Sequence, residues 1–232
     1  MHETEAKARL DRFEADIWNL VSKPVSRAEL GTIHAMHRNV VAPEQVRKLA
    51  HIRKDPFDFI FGEIMPALPV IDAFYSNEDF RFHFLRDGGP TDLRMLLGDS
   101  VEEVQITRVH DGQRSRLQNE MLAESGWAPA TGDIYREKKT GRVIGTSEAQ
   151  DEVEALYELE KWLSHALKNK AAKAYPPGMT LIVGISRFEF FLYDERDFDP
   201  VVEIASRHLP QLNFAKIYLS ELCDGTFVRR LR

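Results

Sequence analysis

Asp92, Glu103 and Gln105 are the residues whose types and spacing could do chemistry. They lie in "GPTDLRMLLGDSVEEVQITRV", residues 89–109. A two-residue period through "VEEVQITRV" puts Val101, Glu103, Gln105 and Thr107 on one face of a strand and Glu102, Val104, Ile106 and Arg108 on the other. Val104 and Ile106 are core candidates, so Glu103 and Gln105 stand together on the opposite face. Asp92 opens the preceding strand, and "LLGDS" is a tight turn between the two. Adjacent strands run about 5 Å apart, which brings Asp92 within reach of Glu103. Two carboxylates and a backbone carbonyl would offer Mg²⁺ the hard oxygen ligands it prefers. Glu102 and Asp99 read as surface and turn residues. On the plainer alternative, Asp92 starts a strand after a turn, while Glu103 and Gln105 are the solvated face of a hairpin.

The elements that must position these residues follow from period and punctuation. Leu10, Phe13, Ile17 and Val21 recur at helical spacing. Ser26 with Glu29 is a capping-box pattern, and Pro43 suits the first turn of another helix. Pro56, Pro66 and Pro69 are expected to chop "DPFDFIFGEIMPALPVIDAF" into short pieces. "FRFHFLR", "TDLRMLL" and "VEEVQITRV" then form a three-stranded antiparallel meander. A helix ends at Gly126, and "KKTG" tips a small hairpin. The longest helix is expected over residues 148–172, with Val153, Leu156, Leu159, Leu163 and Leu167 buried. "MTLIVGIS" reads as a strand covered on both faces, "PVVEIASRHL" as a helix and "FAKIYLSEL" as a last core strand. The fold class is therefore α/β: a mixed central sheet made of the meander plus crossover strands, flanked by helices. Residues 1–54 form an N-terminal helical extension and residues 55–232 the α/β domain.

This order of elements, with Asp92 in "PTD", then Glu103, one residue and Gln105, resembles the PD-(D/E)XK nuclease superfamily. The resemblance spans roughly residues 55–220 in topology. It departs from the family pattern twice: "PTD" stands for Pro-Asp, and Gln105 occupies the lysine position. It implies a metal-dependent DNA nuclease in which Asp92 and Glu103 hold Mg²⁺, the Val104 carbonyl completes the site and Gln105 orients a water. Many members draw a further acid from the preceding helix, for which Glu63 is the first candidate and Glu78 the second. The same fold also suits a non-catalytic interaction protein.

Composition narrows the remaining classes. The 232 residues, 43% hydrophobic and 29% charged, suffice for a sizeable core without disulfides. The sole cysteine, Cys223, can form no internal disulfide. The charged start and the lack of any apolar run of about 20 residues point to a cytoplasmic protein with no membrane span. A net charge of −6 argues against coating nucleic acid by bulk charge. Local basic groups remain: Arg38, Arg47, Lys48, Arg53 and Lys54 offer an alternative DNA-binding module in the N-terminal helices. Lys138, Lys139, Arg142, Lys168, Lys170 and Lys173 could line a groove that tracks phosphates, or simply complement a hairpin tip and a helix C-terminus. His34, His37 and His51 read as exposed or capping rather than ligating, and Trp127, Tyr157 and Trp162 as core. Ser186 lacks the surrounding motif of a nucleophile elbow.

Overall fold

The computed structural model describes residues 2–52, 56–86, 88–187, 189–190, 192–222 and 227–232, with the side chains of His34 and Ile52 outside that description. Cys223 and the turn after it, Arg53, Lys54 and the boundary expected after residue 54 also lie outside the described residues.

Three helices open the chain: α1 (Glu3–Val21), α2 (Arg27–Val41) and α3 (Glu44–Ile52). The capping box that starts α2 is formed, with Ser26 N–H donating to Glu29 at 2.7 Å and Glu29 N–H to Ser26 Oγ at 3.2 Å. The prolines that follow distort the helical run without cutting it. α4 (Phe57–Phe59), a π-helical turn (Ile60–Ile64) and α5 (Met65–Phe74) are contiguous. Pro66 has no N–H for the Gly62 carbonyl and its ring crowds that group, which accounts for the helix widening just before it.

The main sheet contains β1 (Arg81–Phe84), β2 (Leu93–Leu97) and β3 (Ser100–Val109) as the expected antiparallel meander. After α6 (Gly112–Ser125), β4 (Ile134–Arg136) and β5 (Val143–Gly145) make a separate hairpin. α7 (Glu152–Ala171) crosses over to β6 (Thr180–Ile185), and α8 (Phe198–His208) to β7 (Lys216–Glu221). β8 (Val228–Arg230) adds an edge strand that three residues of sequence do not announce. The sheet order is β1-β2-β3-β6-β7-β8, parallel across β3-β6-β7 and antiparallel elsewhere.

Each face of this sheet is covered. Leu10, Phe13, Ile17, Leu30 and Ile33 of the first helices share one core with Phe82, Leu93, Val104 and Ile106. A bridge between Val25 and Phe82 ties the segment joining α1 and α2 to β1. The other face packs Leu159, Leu163 and Leu167 of α7 and Val201 of α8 on Leu181, Val183 and Leu219. The buried stripe of α7 is Ala155, Leu159, Leu163 and Leu167, whereas Val153 is 77% exposed. Val153 stands two residues off the four-residue step from Ala155, which turns it to solvent. Trp127 and Tyr157 are likewise exposed rather than core, and Trp162 packs partly buried against the second core. No helix among the described residues is long and apolar enough to cross a membrane.

Glu102 is not a plain surface residue. Its carboxylate accepts from Lys216 at 2.6 Å, from Tyr75 at 2.9 Å and from the Thr180 hydroxyl. Burial opposes its ionisation, but the bonds from Lys216, Thr180 and Tyr75 outweigh burial and hold the carboxyl below the usual glutamate range. The network pins the starts of β3, β6 and β7 to the end of α5.

Candidate active site

β3 outruns β2, and the candidate site forms where they part. Leu93 pairs with Val104 and Arg94 with Glu103. Beyond that point the Asp92 N–H donates to the Val104 carbonyl at 2.9 Å. The Asp92 carboxylate then takes the Ile106 N–H at 2.7 Å and the side-chain amide of Gln105. A side chain thus replaces a ladder carbonyl, and Asp92 is held in one orientation by two donors.

This register separates the expected trio. Asp92 and Gln105 are brought together, but Gln105 donates to Asp92 rather than standing ready for a water. Glu103 lies opposite Arg94, which it binds at 3.3 Å. The Val104 carbonyl is occupied by the Asp92 N–H. The carbonyl beside the site is that of Ile106, which accepts from Gln105 at 3.1 Å and from the Lys170 ammonium at 3.4 Å. The two-residue period gave the right faces. The register of β2 on β3 could not be read from it.

Glu63 supplies the second acid. The π-helical turn carries it toward the first core beside Ile60 and Ile64, and together with Asp92 it lines an open cavity of about 320 Å³. Gly184 on β6 permits the close seat of this helical run: a Cβ there would come within 2.8 Å of Pro66. The Glu63 Oε2 atom is buried and has no hydrogen-bond partner among the described residues. Burial, reinforced by the Asp92 charge and only partly offset by Arg86, pushes its carboxyl up to about 8. Asp92 is raised too, chiefly by burial, with the Ile106 N–H, Lys170 and Lys173 pulling the other way. Glu78, the other acid considered, does not line this cavity.

Lys170 completes the group from the opposite face. It follows Leu167 by three residues on the buried stripe of α7, so the helix delivers it to β3. Burial lowers its ammonium to about 8 despite the attraction of Asp92. Its place was legible as a lysine continuing an apolar stripe. Glu63 carries the same kind of signal, three residues after buried Ile60. Among the described residues, no three His, Cys, Asp or Glu side chains form a metal-binding cluster. His37 packs its ring edge-on against Phe57 and Phe61, at 5.6 and 5.1 Å between centroids.

The donor set still fits a hard divalent cation. Mg²⁺ is commonly held by one or two carboxylates with waters filling its remaining positions. A buried carboxylate oxygen without a partner, beside a second carboxylate, is short of positive charge. No protein-family model, characterised protein or solved structure gives a significant match to this chain.

Proposed function

We propose that the protein is a metal-dependent DNA nuclease that hydrolyses phosphodiester bonds at the Glu63–Asp92 pair. The observation that carries this reading is the unpartnered, buried oxygen of Glu63, a residue that lines the same cavity as Asp92. Glu63 and Asp92 would hold Mg²⁺, which when bound supplies an acidified water and offsets charge on the phosphate oxygens. Gln105 is a positioning residue: with the Ile106 N–H it fixes the orientation of the Asp92 carboxylate. Lys170 brings a positive charge beside Asp92 that favours an approaching phosphate and the charge that develops as the P–O bond breaks. Lys168 and Lys173 near the same helix end add phosphate attraction to a chain whose net charge is −6. The resemblance to the PD-(D/E)XK superfamily supports the same reading, with the second acid drawn from the helical run rather than from Glu103.

The test is incubation of plasmid, linear duplex and single-stranded DNA with the protein in Mg²⁺, in Mn²⁺ and in EDTA. Cleavage of at least one substrate is expected in either metal and none in EDTA. Intact DNA in every metal-containing reaction, with no rise in melting temperature on adding metal, would leave a non-catalytic protein on the same fold.

A further inference from the structure

The β4–β5 hairpin has one face held down and one face left bare. Ile134 and Val143 pack with Leu117 and Met121 of α6, and Arg136 reaches from the same face to Glu120. Gly145 belongs to that face too, since a Cβ there would come within 2.7 Å of Pro129. The two-residue period therefore sends Tyr135, its cross-strand partner Ile144, and Arg142 to the outer face. Tyr135 is 50% exposed there.

The tip beyond is braced and cationic. The Gly141 N–H donates to the Glu137 carbonyl at 2.8 Å and the Glu137 N–H to the Arg142 carbonyl at 2.9 Å, with Gly141 at a φ of 73°. Arg136 donates to the Gly141 carbonyl at 2.7 Å and so ties the turn to α6. Lys138, Lys139 and Arg142 are exposed, and among the described residues no side-chain hydrogen bond or ion pair occupies any of them. The nearby acids are engaged or distant. Glu120 is bound by Arg136 and Arg116, Glu137 accepts from the Thr140 hydroxyl, and Asp133 lies at the opposite end of β4.

Unpaired cations clustered on a chain of net charge −6 suit an anionic partner. Tyr135 and Arg142 are diagonal neighbours on the outer face, about 7–8 Å apart by strand geometry. One nucleotide spans that reach, with its base on the ring and its phosphate at the guanidinium. A bare aromatic ring stacks on an unpaired base, whereas duplex bases are already stacked on one another. Resting on the nuclease reading above for the identity of the polyanion, we infer that the hairpin is a docking arm for single-stranded DNA: Tyr135 stacks on a base, and Lys138, Lys139 and Arg142 hold the flanking phosphates.

Fluorescence anisotropy of a labelled single-stranded oligonucleotide and of its duplex, in EDTA over a salt series, tests this. The proteins are wild type, Tyr135→Ala, Tyr135→Phe and the triple variant Lys138→Gln, Lys139→Gln, Arg142→Gln. All the changes fall on exposed side chains, so melting temperatures should match wild type. Wild type should favour the single strand. Tyr135→Ala should weaken that binding about five- to a hundredfold with the salt dependence intact, and Tyr135→Phe should keep it. In the triple variant the log–log salt slope on the single strand should fall by about 2, at about 0.7 per phosphate lost. Absence of wild-type binding, or binding unchanged in the triple variant, overturns the inference. So does duplex binding as tight as single-strand binding, or a silent Tyr135→Ala, because either marks phosphate contact without stacking. Hairpin-dependent binding by a protein that cleaves no DNA in Mg²⁺ or Mn²⁺ would uphold the arm and remove the nuclease reading; cleavage with binding indifferent to the hairpin would do the reverse.

Discussion

Asp92→Asn is expected to lower metal-dependent cleavage about a thousandfold while leaving the protein folded. The substitution keeps an oxygen to accept the Ile106 N–H and the Gln105 amide but removes the charge that draws a cation. Each ~1.4 kcal/mol of lost transition-state stabilisation is a factor of ten, so forfeiting about 4 kcal/mol gives that loss. Asp92→Ala, in contrast, strips the acceptor from two buried donors and should cost about 1–3 kcal/mol of stability besides. Comparing the two variants by cleavage rate and by urea unfolding separates chemistry from architecture. Activity within tenfold of wild type in Asp92→Asn would remove Asp92 from the reaction.

Glu63→Gln should act in opposite directions on stability and activity. The folded carboxyl titrates near 8 instead of 4.5, because burial and Asp92 disfavour its charge. In the metal-free protein the folded state therefore retains a proton that the unfolded chain releases. Below about pH 4.5 the group costs nothing; the penalty grows as the pH climbs and is complete above about pH 8. At ~1.4 kcal/mol per pH unit it reaches roughly 5 kcal/mol, part of which a buried glutamine amide gives back for want of partners. A net gain of roughly 2 kcal/mol at pH 8 in EDTA is expected, shrinking toward zero near pH 4.5. Cleavage should meanwhile fall by orders of magnitude. A variant less stable than wild type at pH 8 would show that Glu63 is satisfied without a cation.

Much of the architecture was legible because its signals are local. The alternation of Phe82 and Phe84, the buried run before Ile185 and the Ser26 cap each depend on neighbours in sequence. Asp92 was also legible as a strand-opening acid. What escaped depends on long-range fit. The register of β2 on β3 gave Glu103 to Arg94 and left Gln105 to Asp92. Glu102 became a network residue only because Tyr75, Thr180 and Lys216 converge from three other elements. Arg86 found Trp18 across a separation no period records. Glu63 and Lys170 lie between these extremes: a charged residue on an apolar helix stripe is visible in sequence, but its partner is not.

The most direct measurement is calorimetric titration of Mn²⁺ into metal-free wild type, Glu63→Gln, Asp92→Asn and Glu103→Gln at pH 8. Wild type and Glu103→Gln should bind the ion with similar affinity, and Glu63→Gln and Asp92→Asn should bind it far more weakly. Saturating metal should also stabilise only the first two, by about 2.7 kcal/mol at a hundredfold excess over Kd. Full binding by Glu63→Gln together with loss in Glu103→Gln would contradict a Glu63–Asp92 centre and move the metal to the pair of strand acids.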